Sequence, residues 1–213
     1  VPGFFPDNDC VRNDILDYYF EIERFDRESG QLIEMLEELG ELENTIIVMT
    51  SDNGMPFPRA KANLYNYGTR MPLVIRWPEK VKAGTVIDDF VNFVDFAPSF
   101  VEAAGLTQNS MSGQSLWQLL AGEKQDRDEV YLERERHANV RKGNLSYPMR
   151  AVRDHQFLYI RNMMPERNPA GDPTVHQSVG QFGDSDNSIT KYLIMSLEGK
   201  ASAGATDYFN LAF

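Results

Sequence analysis

Asp52 and Asn53, followed by Gly54, come directly after an unbroken apolar run over residues 46–49. Four apolar residues, mostly β-branched and without polar alternation, predict a strand buried on both faces, as in a parallel sheet covered by helices. Such sheets bind ligands at the carboxyl ends of their strands, and side-chain oxygens are the ligands that Ca²⁺ or Mg²⁺ prefers. Because Asn-Gly also favours a simple turn after any strand, these residues alone leave a metal site and a turn both open.

A basic residue and a second motif follow at a defined spacing. Lys61 comes nine residues after Asp52, and a Gly-x-Arg-x-Pro pattern at 68–72 then leads into another apolar run. This succession resembles the sulfatase family, whose pattern runs from Ser-Asp-(Asn or His)-Gly through a basic residue to Gly-x-Arg-x-Pro.

The resemblance implies a role for each of these residues. Asp52 and Asn53 would complete a divalent-metal site, usually calcium with Mg²⁺ possible. Lys61 would bind the sulfate and, as a catalytic group, stabilise the charge that develops on it. Arg59 is a second candidate for the sulfate, but the spacing favours Lys61. Two-metal relatives in the wider alkaline-phosphatase-like superfamily typically have Asp-His at this point, so Asn53 favours a single metal.

Further matches extend the resemblance over residues 2–161. The segment around Glu135-Arg136-His137, together with residues 146–153, is most similar to the heparan N-sulfatase (sulfamidase) branch. That branch implies a substrate contact for His137, although an exposed, charged strand end is an equally good interpretation. Arg141 and Lys142 nearby could help to attract an anionic sugar.

Two parts of the family pattern are missing from this chain. Sulfatases oxidise the first residue of a Cys-x-Pro-Ser-Arg or Ser-x-Pro-x-Arg motif to formylglycine, the nucleophile, whereas the single cysteine, Cys10, stands in the sequence Asp-Cys-Val-Arg-Asn. The early Asp-Asp pair that supplies the other metal ligands is also absent. We therefore expect a carboxyl-terminal portion, whose partner is the missing amino-terminal half carrying formylglycine. This chain alone is expected to be inactive.

The implied activity is hydrolysis of a sulfate ester or sulfamate, on a sulfated sugar such as a glycosaminoglycan. One alternative is a phosphodiesterase or phosphonate hydrolase of the same superfamily. Another is a non-catalytic interaction fragment that keeps the fold without the nucleophile. The resemblance also implies a periplasmic, secreted or lysosomal location.

Composition narrows the partners. The chain has 213 residues and a formal net charge of -11, which argues against a general polyanion-binding surface, and so against nucleic acid as a partner. An anionic sugar would therefore need a locally positive pocket. No apolar run approaches the ~20 residues of a membrane span, so no membrane partner is expected.

The first half of the chain has the pattern of an α/β fold. Apolar residues spaced three and four apart predict an amphipathic helix over 7–40, broken near Ser29-Gly30 and capped by Gly40. A helix followed by strands at 45–50 and 71–77 predicts one crossover of an alkaline-phosphatase-like, doubly wound sheet. The helix also carries an apolar stripe that is expected to pack in the core. The stripe comprises Tyr18, Tyr19, Ile22 and Phe25.

The second half changes character. Asp95, before Phe-Ala-Pro, is expected to cap a helix over 95–104 rather than to act as a catalytic carboxylate. Short strands at 130–132, 149–152 and 157–160 predict an antiparallel annex, with His155 in a turn. We therefore divide the chain into 1–125, part of the sulfatase α/β core, and 126–213, an antiparallel subdomain. Its irregular stretch 162–190, which includes His176, has a length typical of a binding loop or of disorder.

Overall fold

The computed structural model describes residues 1–107, 110–124, 126–174, 180–200 and 205–213. The helices are α1 (Asp9–Glu38), α2 (Asn66–Thr69), α3 (Phe96–Ala103), α4 (Trp117–Leu120), α5 (Ile189–Met195) and α6 (Tyr208–Ala212). The strands are β1 (Ile47–Thr50), β2 (Leu73–Arg76), β3 (Glu129–Arg134), β4 (Met149–Asp154) and β5 (Leu158–Asn162). Among these described residues, no helix has the length and apolar character needed to cross a bilayer.

Helix α1 has clear signals at both ends. The Asn8 side chain accepts a hydrogen bond from Val11 N at 3.1 Å, and Gly40 follows the helix with φ +71°, a left-handed conformation that glycine adopts without strain. The predicted break near Gly30 is wrong, since α1 runs on without interruption. A single internal glycine costs only about 1 kcal/mol, which the rest of a long helix outweighs.

Of the predicted apolar stripe of α1, only Tyr18 packs against a core, where its ring contacts Phe57. Tyr19, Ile22 and Phe25 are 44–53% exposed, and only Val11 and Ile15 of this helix are buried. The reason is that α5 meets α1 near its amino-terminal end, where Thr190 N donates to Asp14 Oδ2 at 2.8 Å. The described residues place no comparable element against the rest of the helix.

Strands β1 and β2 pair antiparallel, with Ile47 opposite Arg76 and Thr50 opposite Leu73. The predicted crossover is therefore wrong for this pair, and β1 is half-buried rather than buried on both faces. A parallel return needs a crossover of a dozen or more residues, usually a long helix. The connection here contains only the four-residue α2 and folds back as a loop.

The antiparallel annex is confirmed. Strands β3, β4 and β5 form one sheet in chain order, with Arg134 opposite Met149 and Arg150 opposite Arg161. The carboxylate of Asp154 stabilises the turn between β4 and β5, because Oδ1 accepts from Gln156 N at 2.7 Å and from Phe157 N. This turn contains His155, as the sequence predicts.

Two apolar cores hold the loop between β1 and β2 in place. Phe57, 3% exposed, packs in the first core, and Leu64, 5% exposed, packs in the second. The first core comprises Phe5, Val11, Ile15, Phe57, Ile194 and Ala212, and the second comprises Leu64, Tyr147, Met149 and Ala151. Because Lys61 lies between Phe57 and Leu64, its backbone is anchored on both sides.

Asp95 precedes α3, but its side chain does not cap that helix. It is fully buried and accepts from Asn92 N at 2.8 Å, from Gln114 N at 3.0 Å and from the Arg127 guanidinium. Burial opposes ionisation of Asp95, yet these hydrogen bonds outweigh it and hold its pKa below the usual range. The expected capping role is thus corrected to a buried ion pair, with a reciprocal capping box to Asn92.

Candidate active site

Four residues singled out in the sequence lie along one large open cavity. Its volume is about 2030 Å³, and Asp52, Asn53, Lys61 and His137 line it. Cavities that enclose a single small ligand are usually about 300–1,000 Å³, so this one is large enough for an extended ligand. The β1–β2 loop supplies the first three side chains, and the segment after β3 supplies His137.

Asp52 and Asn53 sit just beyond the carboxyl end of β1. Ser51 Oγ donates to Asn53 O at 2.8 Å and fixes this turn. A Cβ atom on Gly54 would lie 1.9 Å from Tyr67 O, so the close approach of the two backbone segments requires glycine. Within the described residues, neither the Asp52 carboxylate nor the Asn53 amide oxygen has a hydrogen-bond or ion-pair partner. Both oxygens are therefore available to a cation.

These two oxygens fit part of a metal site. Calcium takes six to eight oxygen ligands, and the described part of the chain contains no group of three or more His, Cys, Asp or Glu side chains that could hold a metal. The donor chemistry agrees with a hard divalent cation, and the other ligands would have to come from elsewhere.

Lys61 is paired with an acidic residue. Its Nζ donates to Asp186 Oδ2 at 2.8 Å, and the two side chains are 28% and 27% exposed. Arg59, the second candidate for the sulfate, donates to Leu211 O at 2.9 Å and stacks on Tyr65 at 3.9 Å. It does not line the cavity, so Lys61 is the better placed of the two.

His137 is exposed and lies at the edge of a buried charged cluster. Its Nδ1 lies 3.3 Å from Asp184 Oδ1, and Asp184 is 1% exposed. The guanidinium of Arg141 donates to Asp184 Oδ2 at 2.6 Å, and that of Arg134 donates to the same oxygen. Arg141 also donates to Asn168 O and Pro169 O. Arg141 was expected to attract a sugar, and its burial corrects that expectation, because the side chain is committed to internal partners.

The cluster carries an excess of positive charge. Burial raises the pKa of the Asp184 carboxyl, but the nearby His137 ring and the charges of Arg134 and Arg141 outweigh burial and hold that pKa below its usual range. One ionised carboxylate therefore faces two guanidinium groups, which stay protonated in proteins. The cluster therefore has one positive charge in excess, although the chain as a whole is acidic. This local positive charge would attract an anion.

Sequence reasoning missed Asp184 and Asp186. Both lie in the irregular stretch 162–190, and their spacing of two residues in a polar segment was the only available signal. That stretch is ordered around them, since Asp184 N donates to Ala170 O at 2.9 Å. His155 is exposed in its turn and stacks on Phe90 at 4.5 Å, whereas His176 lies outside the described residues.

Two family profiles match the chain. The sulfatase profile matches residues 2–106. The profile described as N-sulphoglucosamine sulphohydrolase, C-terminal, matches residues 59–167, which is just over half of the chain.

Curated relatives agree with these profiles. An ulvan-active sulfatase of Formosa agariphila is 35% identical over 169 residues, which cover 78% of this chain and 27% of that protein. Human N-sulphoglucosamine sulphohydrolase is 31% identical over 174 residues, which cover 76% of this chain and 34% of that protein. The chain thus spans about a third or less of the length of these relatives.

Solved structures confirm the alkaline-phosphatase-like fold class. An enzyme in complex with its substrate, D-glucosamine-2-N,6-O-disulfate, superposes with a TM-score of 0.53 at 31% identity, over 64% of this chain and 31% of that chain. A phosphonate monoester hydrolase from Silicibacter pomeroyi superposes with a TM-score of 0.55 at 23% identity, over 64% and 30% of the two chains, and at that identity it shares the fold alone. On the profile matches and these relatives together, the chain belongs to the sulfatase family, in the branch defined by the carboxyl-terminal region of N-sulphoglucosamine sulphohydrolase.

Proposed function

We propose that this chain forms the metal- and sulfate-binding part of a sulfuric ester or sulfamate hydrolase that acts on sulfated sugars. The observation that carries the proposal is that unpartnered oxygens at Asp52 and Asn53 lie along the same cavity as Lys61 and His137. Sulfated sugars are the proposed substrates because one relative is an N-sulphoglucosamine sulphohydrolase and a similar solved structure holds a glucosamine disulfate. Whether the sulfate is attached to nitrogen or oxygen is left to the experiment below.

Each residue has a distinct part in this proposal. Asp52 and Asn53 would hold the cation, the carboxylate by its charge and the amide as a neutral ligand. Calcium is the proposed ion, with Mg²⁺ possible, and when bound it would neutralise charge on the nucleophile and on the sulfate oxygens. Lys61 would donate to a sulfate oxygen, and the hydrogen bond strengthens as negative charge grows on that oxygen in the transition state.

The nucleophile is proposed to be a formylglycine outside these 213 residues. Cys10 lies in the first turn of α1 and does not line the cavity. It therefore has neither the sequence context nor the location for the reaction. The partner of this chain in the proposal is the amino-terminal half of the enzyme, which would bring the nucleophile and the remaining metal ligands.

The test is release of inorganic sulfate by the full-length protein from glucosamine carrying a 2-N-sulfate or a 6-O-sulfate. We expect turnover of at least one of the two, and a strong loss in Lys61→Ala. Lys82→Ala is the matched control, because Lys82 is an exposed lysine along the same cavity. Turnover of a phosphonate monoester or phosphodiester with no sulfate release would overturn the proposal in favour of another hydrolase of the superfamily. Absence of turnover on all of these substrates would favour a non-catalytic role.

A further inference from the structure

Two acidic residues of one short segment contact Lys61 and His137, the two basic side chains of the candidate site. Within residues 183–186, Asp184 lies 3.3 Å from His137 Nδ1, and Asp186 accepts from Lys61 Nζ at 2.8 Å. Residues two apart in sequence thus reach two side chains that come from different parts of the fold. Neither acidic residue lines the cavity, whereas Lys61 and His137 both do.

The contact between Asp184 and His137 determines which ring nitrogen is free. Asp184 Oδ1 is buried and makes no hydrogen bond within the described residues, and His137 Nδ1 lies 3.3 Å from it. Buried carboxylate oxygens are nearly always satisfied, so the proton of a neutral His137 belongs on Nδ1. Nε2 is then the ring nitrogen that is available to a ligand.

The backbone of the segment is held on two sides. A Cβ atom on Gly183 would lie 2.5 Å from Val140 Cγ1, so the segment packs closer to Val140 than any residue with a side chain allows. On the other side, the buried Lys191 donates from Nζ to Ser185 O at 2.8 Å. These contacts fix the backbone from which the two carboxylate side chains extend, and a positioning role requires such a fixed backbone.

We infer that residues 183–186 form a positioning segment, in which Asp184 orients His137 and Asp186 orients Lys61 toward the anionic group of the substrate. The inference rests on the proposed function for the identity of that group. The contacts themselves do not depend on it. Asp184 and Asp186 act through their neighbours and do not touch the substrate.

The first test reads the His137 tautomer directly, by ¹⁵N NMR of the neutral imidazole rings in this chain. The chain has three histidines, which keeps the assignment simple. We expect Nδ1–H in the wild type and Nε2–H in Asp184→Asn, because the two arginines retain the amide oxygen and turn the amide NH₂ toward His137. Asp88→Asn is the matched control, since Asp88 is exposed along the same cavity. The same tautomer in wild type and Asp184→Asn would overturn the assignment.

The second test uses Asp186 in the full-length protein, which keeps the inference falsifiable if Asp184→Asn does not fold. We expect Asp186→Asn to lower kcat by up to about 10²-fold, as for other displaced catalytic groups, with a smaller change in KM. Asp186→Glu should recover part of the loss, and Asp88→Asn should change neither constant. Unchanged or increased kcat in Asp186→Asn would contradict positioning, since it would mean that Asp186 is idle or blocks Lys61. Absence of sulfate release by the wild type would refute the proposed function, while the NMR result would still decide the contact with His137.

Discussion

The two sides of the candidate active site differ in how far this chain completes them. On the anion-binding side, Lys61 and His137 each contact an acidic residue, and Asp184 is buried between two guanidinium groups. On the metal side, the oxygens of Asp52 and Asn53 have no donor among the described residues. The difference indicates that the chain organises the proposed anion-binding groups by itself, whereas the oxygens of the proposed metal ligands are left without partners among the described residues.

The two sides should also respond differently to mutation. Asp52 is exposed, so its removal uncovers no buried group and its effect should fall on chemistry. Asp184 is enclosed with Arg134 and Arg141, so its removal leaves two buried charges unpaired and its effect should fall on stability first.

The largest effect on activity is expected from Asp52→Ala in the full-length protein. Loss of this proposed charged metal ligand should remove several kcal/mol of transition-state stabilisation, so sulfate release should fall by about 10³-fold or more. The free energy of unfolding should change by no more than about 0.5 kcal/mol, as for other exposed sites. Asp88→Ala, at another exposed carboxylate along the cavity, is the control. A large loss of stability in Asp52→Ala would remove the contrast between the two sides.

The largest effect on stability is expected from Asp184→Ala. Removing one member of a buried ion pair typically costs about 3–5 kcal/mol, which urea unfolding of this chain would measure. Asp186→Ala serves as the comparison, because the partly exposed Lys61–Asp186 pair should contribute about 1 kcal/mol or less. Equal losses in the two variants would show that Asp184 is not the structural centre of the cluster.

Lys61→Ala should act on the chemical step. In the full-length enzyme we expect kcat to fall by about 10²-fold, or about 3 kcal/mol by analogy with other preorganised donors, with a smaller rise in KM. Lys61→Arg should retain part of the activity, because arginine keeps the charge. Steady-state kinetics on a sulfated glucosamine would measure both constants, and a wild-type kcat in the alanine variant would exclude the role.

The smallest effect concerns the pH dependence of stability. Asp184 and Asp95 both have a folded pKa below the ordinary value of 3.8. The stability that they contribute is therefore fully present above that value, and it is lost as the pH falls through the lower folded pKa. Urea unfolding below about pH 4 should show this loss. Arg127→Gln, which removes the partner of Asp95, should reduce the pH dependence, and an unchanged slope would contradict the assignment.

The sequence was sufficient for the parts of the fold that depend on local patterns. Apolar periodicity predicted α1, turn residues predicted the β4–β5 hairpin, and a fixed spacing brought Asp52 and Lys61 to the same cavity. The helix and the hairpin depend on neighbours in sequence, whereas Asp52 and Lys61 were linked by the resemblance to the sulfatase pattern.

The features that the sequence did not predict depend on distant contacts. The antiparallel pairing of β2 with β1 depends on how the loop between them folds. The pattern of apolar residues is the same for an antiparallel pair and for a parallel pair joined by a crossover. The exposure of Phe25 on α1 depends on which elements pack there, not on its amphipathic pattern. In the sequence, Asp184 and Asp186 are recognisable only as an acidic pair in a polar stretch, because their partners are more than 40 residues away along the chain.

Calcium titration of this chain by isothermal calorimetry tests the contrast between the two sides most directly. The measurement uses the 213-residue chain and the same chain carrying Asp52→Ala. Because two neighbouring oxygens fall well short of the six to eight that calcium takes, we predict no micromolar binding by either. Micromolar binding by the wild-type chain that Asp52→Ala abolishes would contradict the account, since it would mean that these residues already hold a complete metal site.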